Sequence, residues 1–445
     1  MKKIIRPSFR NFRFFGTLAF VLLAVCSCQR PPMGRSPEEP PEISVPSVPQ
    51  AEPVEQIEQI EAVVVEVVRQ CGGVVVRDAK TGRIIEVNVA VNRSSVDDAA
   101  FLTIVQLTGL KKLSLSGSSL SRESLKKLES LRLLEELYLV DTITSDDDLA
   151  ALCQNLKNLK RLTLRRLTKL GDQGLQSLHL LKELRNLSLL NLAIGGPGLE
   201  TVSSLSLLRA LDLRGCNQLS SEDYQHLSKM TALTDLKIGG ASVNTEVLRT
   251  IASLPNLTGL TVEDATVPAD VWEELFADPQ WSDNMTSLAF ARMYTINDRV
   301  LEKLSGFKKL KSLSLRAAPV RGSFVSNLAP DSPLFTSLQT LGMTKNFATA
   351  EEILQLKRFK NLKKLDFSVT PMTFEKIEAL STLDQVEMLL LAECQLTDEM
   401  LEKLIPLQNL TALEIGGNPS LTDQSRETLK RFPKLSLENV SFFSE

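Results

Sequence analysis

Side chains able to do covalent or metal chemistry are scarce in this chain of 445 residues, which has six cysteines and two histidines. His179 and His226 lie far apart in helical stretches of two different segments, so they form no pair for metal or acid/base work and read as surface or packing residues. No two cysteines form a CxxC motif. Past Cys26 and Cys28 at the N-terminus come Cys71, Cys153, Cys216 and Cys394, too scattered for bridges, whose Cα atoms must come within about 7 Å. The acidic run Asp146, Asp147 and Asp148 could suggest calcium, but carboxylates at a helix start also complement the helix dipole. The string GGPG from Gly195 falls where a helix begins and reads as a turn, not a phosphate cradle. No nucleophile elbow or HExxH is present. With 51 basic against 54 acidic residues, the net charge of -3 supplies no field for a polyanion. These counts predict a non-enzymatic protein with no cofactor, no metal and no nucleic-acid partner.

The N-terminus carries Lys2, Lys3, Arg6, Arg10 and Arg13, then an uncharged apolar run from Phe14 to Val25. That is the layout of a secretory signal. As a helix the run reaches about 18 Å, short of the ~30 Å hydrocarbon core of a bilayer. In the string VCSCQ, Val25, Cys26 and Ser27 precede Cys28 as a lipobox precedes its acylated cysteine, so the segment resembles a bacterial lipoprotein precursor. Val25 and Cys26 depart from the more usual Leu and Ala or Ser. The resemblance implies a signal peptide over 1–27 and a lipid on Cys28, facing the periplasm or the exterior; a cleaved signal and a free secreted protein is the other reading. Residues 29–53 hold eight prolines among Glu, Ser and Val, a composition that cannot bury enough apolar surface to fold. Residues 28–54 therefore read as a tether, reaching roughly 80 Å at ~3.1 Å per residue.

From there an LxxLxL hexad recurs about every 25 residues. Its first positions are Ile84, Leu110, Leu134, Leu159, Leu184, Leu208, Leu233, Leu257, Met285, Leu310, Leu338, Leu362, Val386, Leu410 and Phe432. The hexad has period two, as a half-buried strand does. Leucines at three- or four-residue spacing follow, such as Leu125, Leu128 and Leu131, and Ser121, Thr397-Asp398 and Thr422-Asp423 precede several of these helices as caps. Ordering one such unit costs on the order of 1.5 kcal/mol per residue, more than six or seven leucines offset at roughly 1.5 to 3 kcal/mol each. The units must therefore stack and be capped. Residues 55–83, with Ile57, Ile60, Val63, Val64, Val67 and Val68 at helical spacing and a turn at Gly72-Gly73, suit the N-terminal cap. Residues 438–445, with Phe442 and Phe443, suit the C-terminal one.

The strings LDLRGCNQLSSEDYQHLS from Leu211 and LLLAECQLTDEMLEKL from Leu389 resemble leucine-rich repeats of the cysteine-containing and ribonuclease-inhibitor-like classes. The resemblance covers residues 84–437 as about fifteen repeats. It implies an α/β right-handed solenoid, a horseshoe with a concave parallel β-sheet and convex helices, used mostly for binding. It also implies that Cys216, Cys394, Asn346 and Asn418 are buried and serve the loop backbone.

Residues alternating with the buried hexad positions face the concave side. Most are small, but Tyr138, Arg161, Arg165, Asp212 and Arg214 are expected as neighbours there, and aromatic and Arg side chains are common interface anchors. Two repeats carry three extra residues between helix and strand, with Asp278, Pro279 and Trp281 in one and Asp331 and Pro333 in the other. An exposed Trp281 would make that edge a second binding candidate. The expected function is recognition of an unidentified protein or peptide from the bacterial envelope, with the membrane reached only through the lipid. A structural or self-associating scaffold, and a glycan ligand, are the competing expectations; the oligomeric state is left open.

Overall fold

The computed structural model describes residues 54–90, 96–117 and 119–441. The signal segment, Cys28, the proline-rich stretch before residue 54, and Phe442 and Phe443 lie outside the described residues.

Helix α1 (Val54–Gln70) opens the described chain and turns Val64 and Val68 into the core. Its Glu61 is buried, accepting from the Ile84 amide at 3.0 Å and pairing with Arg77. Strand β1 (Val74–Arg77) follows and runs antiparallel to β2 (Ile84–Asn88). The parallel sheet expected from the repeats thus begins with one antiparallel strand. The reversal takes only a short turn, in which Asp78 Oδ1 accepts from the amides of Lys80 and Thr81 and Gly82 takes φ +70°.

From β2 onward every strand pairs in parallel with the next in sequence. They are β3 (Lys112–Ser116), β4 (Glu136–Val140), β5 (Arg161–Arg165), β6 (Asn186–Leu190), β7 (Ala210–Asp212), β8 (Asp235–Gly239), β9 (Gly259–Glu263) and β10 (Ser287–Ala291). Then come β11 (Ser312–Arg316), β12 (Thr340–Gly342), β13 (Lys364–Asp366), β14 (Met388–Leu390), β15 (Ala412–Glu414) and β16 (Val440–Ser441). The register aligns hexads, as in Leu113 beside Leu137 and Leu137 beside Leu162. The strand leucines are fully buried against the helical halves of the coils, and alternate residues form rows on the open face.

Two devices hold each coil to the next. The residue after each hexad's first position donates its amide to the preceding coil, as Glu135 does to the Lys111 carbonyl at 2.7 Å and Thr411 to that of Glu387 at 2.7 Å. In the last hexad this position is Pro433, which has no N–H to give. The residue that pairs with Leu413 is Val440, not Leu435 at the equivalent place in that hexad, so the last strand β16 forms beyond the hexad at Val440–Ser441. The second device is a left-handed residue just after the strand in every coil from Gly117 to Gly417. Most are not glycine, and Val369, at φ 59°, is β-branched, a conformation that costs energy outside a well-determined turn.

The two long repeats use their extra residues as short helical turns, Pro279–Ser282 and Leu334–Ser337. Trp281 is buried, not exposed on the edge, and its ring stacks on Phe276 at 6.0 Å. Trp272, Phe290 and Phe307 pack around Phe276. The added length fills the interior of a coil in which aromatics replace leucines.

Candidate functional site

On the open face, β2 to β5 carry Glu86, Lys112, Glu136 and Arg161 in one row of alternating charge, an arrangement that stabilises neighbouring strands. Lys112 meets Glu86 at 2.8 Å, and Arg161 Nε meets Glu136 at 3.5 Å. Tyr138, in the next row, donates its hydroxyl to Glu136 Oε2 at 2.9 Å and has Lys112 Nζ 5.7 Å from its ring centroid. Burial and this acceptor push the phenol up to about 12, so Tyr138 stays a neutral donor. Arg165, at the end of β5, is exposed and has no ion-pair partner among the described residues.

Asp212 and Arg214 form a second group. Arg214 donates Nε to Asp212 Oδ1 at 2.9 Å and Nη2 to Oδ2 at 2.8 Å. Its Nη1 also lies 3.7 Å from Glu263, two coils on, and Glu263 lies 3.5 Å from Arg292, which is paired with Asp264. The expected five-residue patch is therefore on one face but in two parts. Tyr138, Arg161 and Arg165 sit on β4 and β5, Asp212 and Arg214 at β7, and β6 with Leu190 runs between them, so the two parts are about 10 Å apart. Glu263, Arg292 and Asp264 extend the second part. Strand register alone would have put Glu263 in the row of Arg214, but the pairing also depends on the empty position at Gly239 between them.

The edge candidates behave differently from one another. Asp278 ends the helix Ala269–Ala277, and its carbonyl accepts from the amides of Trp281 and Ser282. Asp331 is exposed. Buried Trp281 offers that edge no ring.

The remaining polar motifs resolve into structural roles. Cys216 Sγ donates to the Leu189 carbonyl at 3.0 Å and Cys394 Sγ to that of Phe367 at 3.2 Å. Asn418 Oδ1 accepts from the amides of Cys394 and Leu396, while its Nδ2 donates to the carbonyls of Leu391 and Ile415. Asn346 acts within its own coil, accepting from the Ala348 amide and donating to the Met343 carbonyl. Asp148 closes a capping box with Ser145 and meets Arg122 at 2.8 Å, Asp147 meets Arg122 at 3.3 Å, and Asp146 accepts from the Gly171 amide. Among the described residues no cluster of three or more His, Cys, Asp or Glu could hold a metal ion. In GGPG, a Cβ on Gly196 would stand 2.2 Å from Asp223 Oδ1, and one on Gly198 2.3 Å from Asp172 Oδ1. These glycines make room for carboxylates, which an anion site would not tolerate. His179 is exposed and holds the Gln176 carbonyl at 2.6 Å.

A chain of the yeast Rad7 and Elc1 complex aligns over 86% of this chain and 93% of its own, with a TM-score of 0.55 and 18% identity. Combined with the strand–turn–helix coil and its in-register parallel ladder, this decides the architecture. The fold is a leucine-rich repeat solenoid. An internalin of Listeria monocytogenes (20% identity, TM-score 0.41) aligns over 88% of this chain and 95% of its own. An LRR protein of Leptospira interrogans (23% identity, TM-score 0.33) aligns over 76% and 86%. No protein-family model matches the chain. A Caenorhabditis elegans protein named for RNA binding, EEED8.10, is 30% identical over 128 residues, 28% of this solenoid's chain and 17% of that protein's length. Among the described residues no helix is long and apolar enough to cross a membrane.

Proposed function

We propose that this solenoid is a non-enzymatic protein- or peptide-recognition module of the bacterial envelope, held to the membrane by a lipid on Cys28 and spaced from it by the proline-rich stretch. The observation that carries the recognition role is the open sheet face. There Tyr138, Arg161 and Arg214 are oriented by carboxylate partners, and Arg165 stands exposed and unpaired on the same strand as Arg161. Pre-oriented aromatic and guanidinium groups on a rigid sheet reduce the ordering cost of binding. The VCSCQ string and the charged, apolar segment before it support the anchor. The RNA-binding name of the short-overlap relative gives little support for a nucleic-acid role in a chain of net charge -3.

The test is affinity capture from native envelope extract with the intact chain, with Arg165→Glu, and with Arg161→Glu/Arg165→Glu/Arg214→Glu, each confirmed folded by circular dichroism. A specific protein lost from both variants supports the reading; identical capture by all three sinks it. Incorporation of labelled palmitate into the wild-type chain but not into Cys28→Ser tests the anchor.

A self-associating scaffold is the second reading. It is favoured by β1, the terminal strand of the sheet, whose Val74 and Val76 are exposed. Concentration-dependent sedimentation abolished by Val74→Lys/Val76→Lys would put it first.

A further inference from the structure

Where the strands β10 to β12 turn toward the helices, one edge of the solenoid carries a shallow cleft lined by Arg292, Tyr294, Arg316, Pro319, Lys345 and Phe347. Tyr294 and Phe347 are the most exposed large apolar side chains among the described residues, at 80% and 68%. They occupy equivalent positions two coils apart, with exposed Pro319 at the same position between them and Pro371 in the coil after. Earlier coils place Thr168, Ala193, Asn217, Ser242 and Thr266 there, so the coil geometry does not require large rings. The loop carrying Phe347 is fixed: the Phe347 amide donates to the Val320 carbonyl and that of Lys345 to the Ser368 carbonyl. The cleft holds three cations and no carboxylate. Asp264 neutralises Arg292 from outside it, whereas Arg316 and Lys345 are exposed and have no ion-pair partner among the described residues.

We propose that this cleft docks an acidic, proline-bearing peptide in extended conformation. The inference rests on the protein-recognition reading and moves the contact from the sheet face to this edge. Two strand spacings put the backbone positions of Tyr294 and Phe347 about 10 Å apart, and one turn of a polyproline II helix, three residues at ~3.1 Å, advances about 9 Å. Two prolines three residues apart therefore meet Tyr294 and Phe347 in succession, as Pro-rich strands meet aromatic grooves elsewhere. Carboxylates between them face Arg316 and Lys345, and the absence of any acidic lining residue selects against a basic peptide.

The test is fluorescence anisotropy of the full-length chain with fluorescein-labelled (Pro-Pro-Glu)4, (Pro-Pro-Gln)4 and (Pro-Pro-Lys)4. The expected result is saturable binding of the Glu peptide, weakened by salt, with the Gln peptide weaker and the Lys peptide silent. Both Tyr294→Ala/Phe347→Ala and Arg316→Glu/Lys345→Glu should weaken it by about tenfold or more; these side chains are exposed, and circular dichroism checks the fold. Equal binding by the variants, equal binding of the Lys peptide, or no binding of the Glu peptide overturns the inference. So does charge-dependent binding of phosphatidylglycerol vesicles without peptide binding, or a dimer lost in Tyr294→Ala/Phe347→Ala. Arg165→Glu should leave peptide binding unchanged. If the peptide fails while Arg165-dependent partner capture persists, this inference falls and the sheet-face reading stands; if the peptide binds while that capture fails, the reverse holds.

Discussion

Gly239 lies directly against Glu263: a Cβ added to the glycine would stand 2.6 Å from both Glu263 Cγ and the Glu263 carbonyl oxygen. The missing side chain lets Glu263 lean back toward Arg214, two coils away, and joins the pairs Asp212–Arg214 and Asp264–Arg292 into one network. Gly239→Val is expected to cost about 1–3 kcal/mol from overpacking against a backbone that cannot yield. It should also uncouple Arg214 from Glu263. A double-mutant cycle of Arg214→Ala and Glu263→Ala by urea unfolding checks this: coupling present in the wild type should vanish in the Gly239→Val background.

Asn418 ties the loop of its own coil to that of the coil before through two accepted and two donated hydrogen bonds. Asn418→Ala leaves the buried amides of Cys394 and Leu396 without their acceptor, at about 1–3 kcal/mol. Because a solenoid transmits order only between neighbours, the loss should be local. Hydrogen exchange should quicken at Cys394 and Leu396 while amides of β4 and β5 keep their protection.

Trp281 fills space between Phe276 and the end of its coil, and its indole Nε1 has no hydrogen-bond partner among the described residues. Trp281→Phe keeps the ring contact and gives up no hydrogen bond. Trp281→Ala opens a cavity and is expected to cost about 3–5 kcal/mol. Thermal unfolding of the two variants should separate them clearly, and equal losses would mean that the ring does not pack inside.

Burial pushes the thiols of Cys153 and Cys216 up to about 11 and that of Cys394 up to about 12, from an ordinary value of 9.0. The folded chain then keeps protons that the unfolded chain gives up, so the stability these thiols contribute is whole below pH 9 and falls as pH rises through 11 and 12. Urea midpoints at pH 8 and 10.5 should drop less for Cys216→Ala than for the wild type. At pH 8 an alkylating reagent should modify half-exposed Cys71 well before the other three.

Much of this molecule is legible from local pattern. The 25-residue period places each strand and helix because its leucines must face one interior. It also puts Cys216, Cys394, Asn346 and Asn418 at one turn, where the side chains of Cys216, Cys394 and Asn418 bond the backbone of the preceding coil and that of Asn346 bonds its own. The same period identifies the row to which any sheet residue belongs. It leaves undecided what happens between rows. Whether Trp281 turned inward depended on the volume left by Phe276 and Phe307, and whether Arg214 met Glu263, in a coil two turns later, depended on Gly239 leaving the space open. The exposed rings of Tyr294 and Phe347, 53 residues apart in sequence and flanking one cleft, are neighbours only because the intervening coils stack in register. Repetition is written into the chain one coil at a time, but side-chain volume and charge act across coils, and only stacking brings those residues within reach of one another.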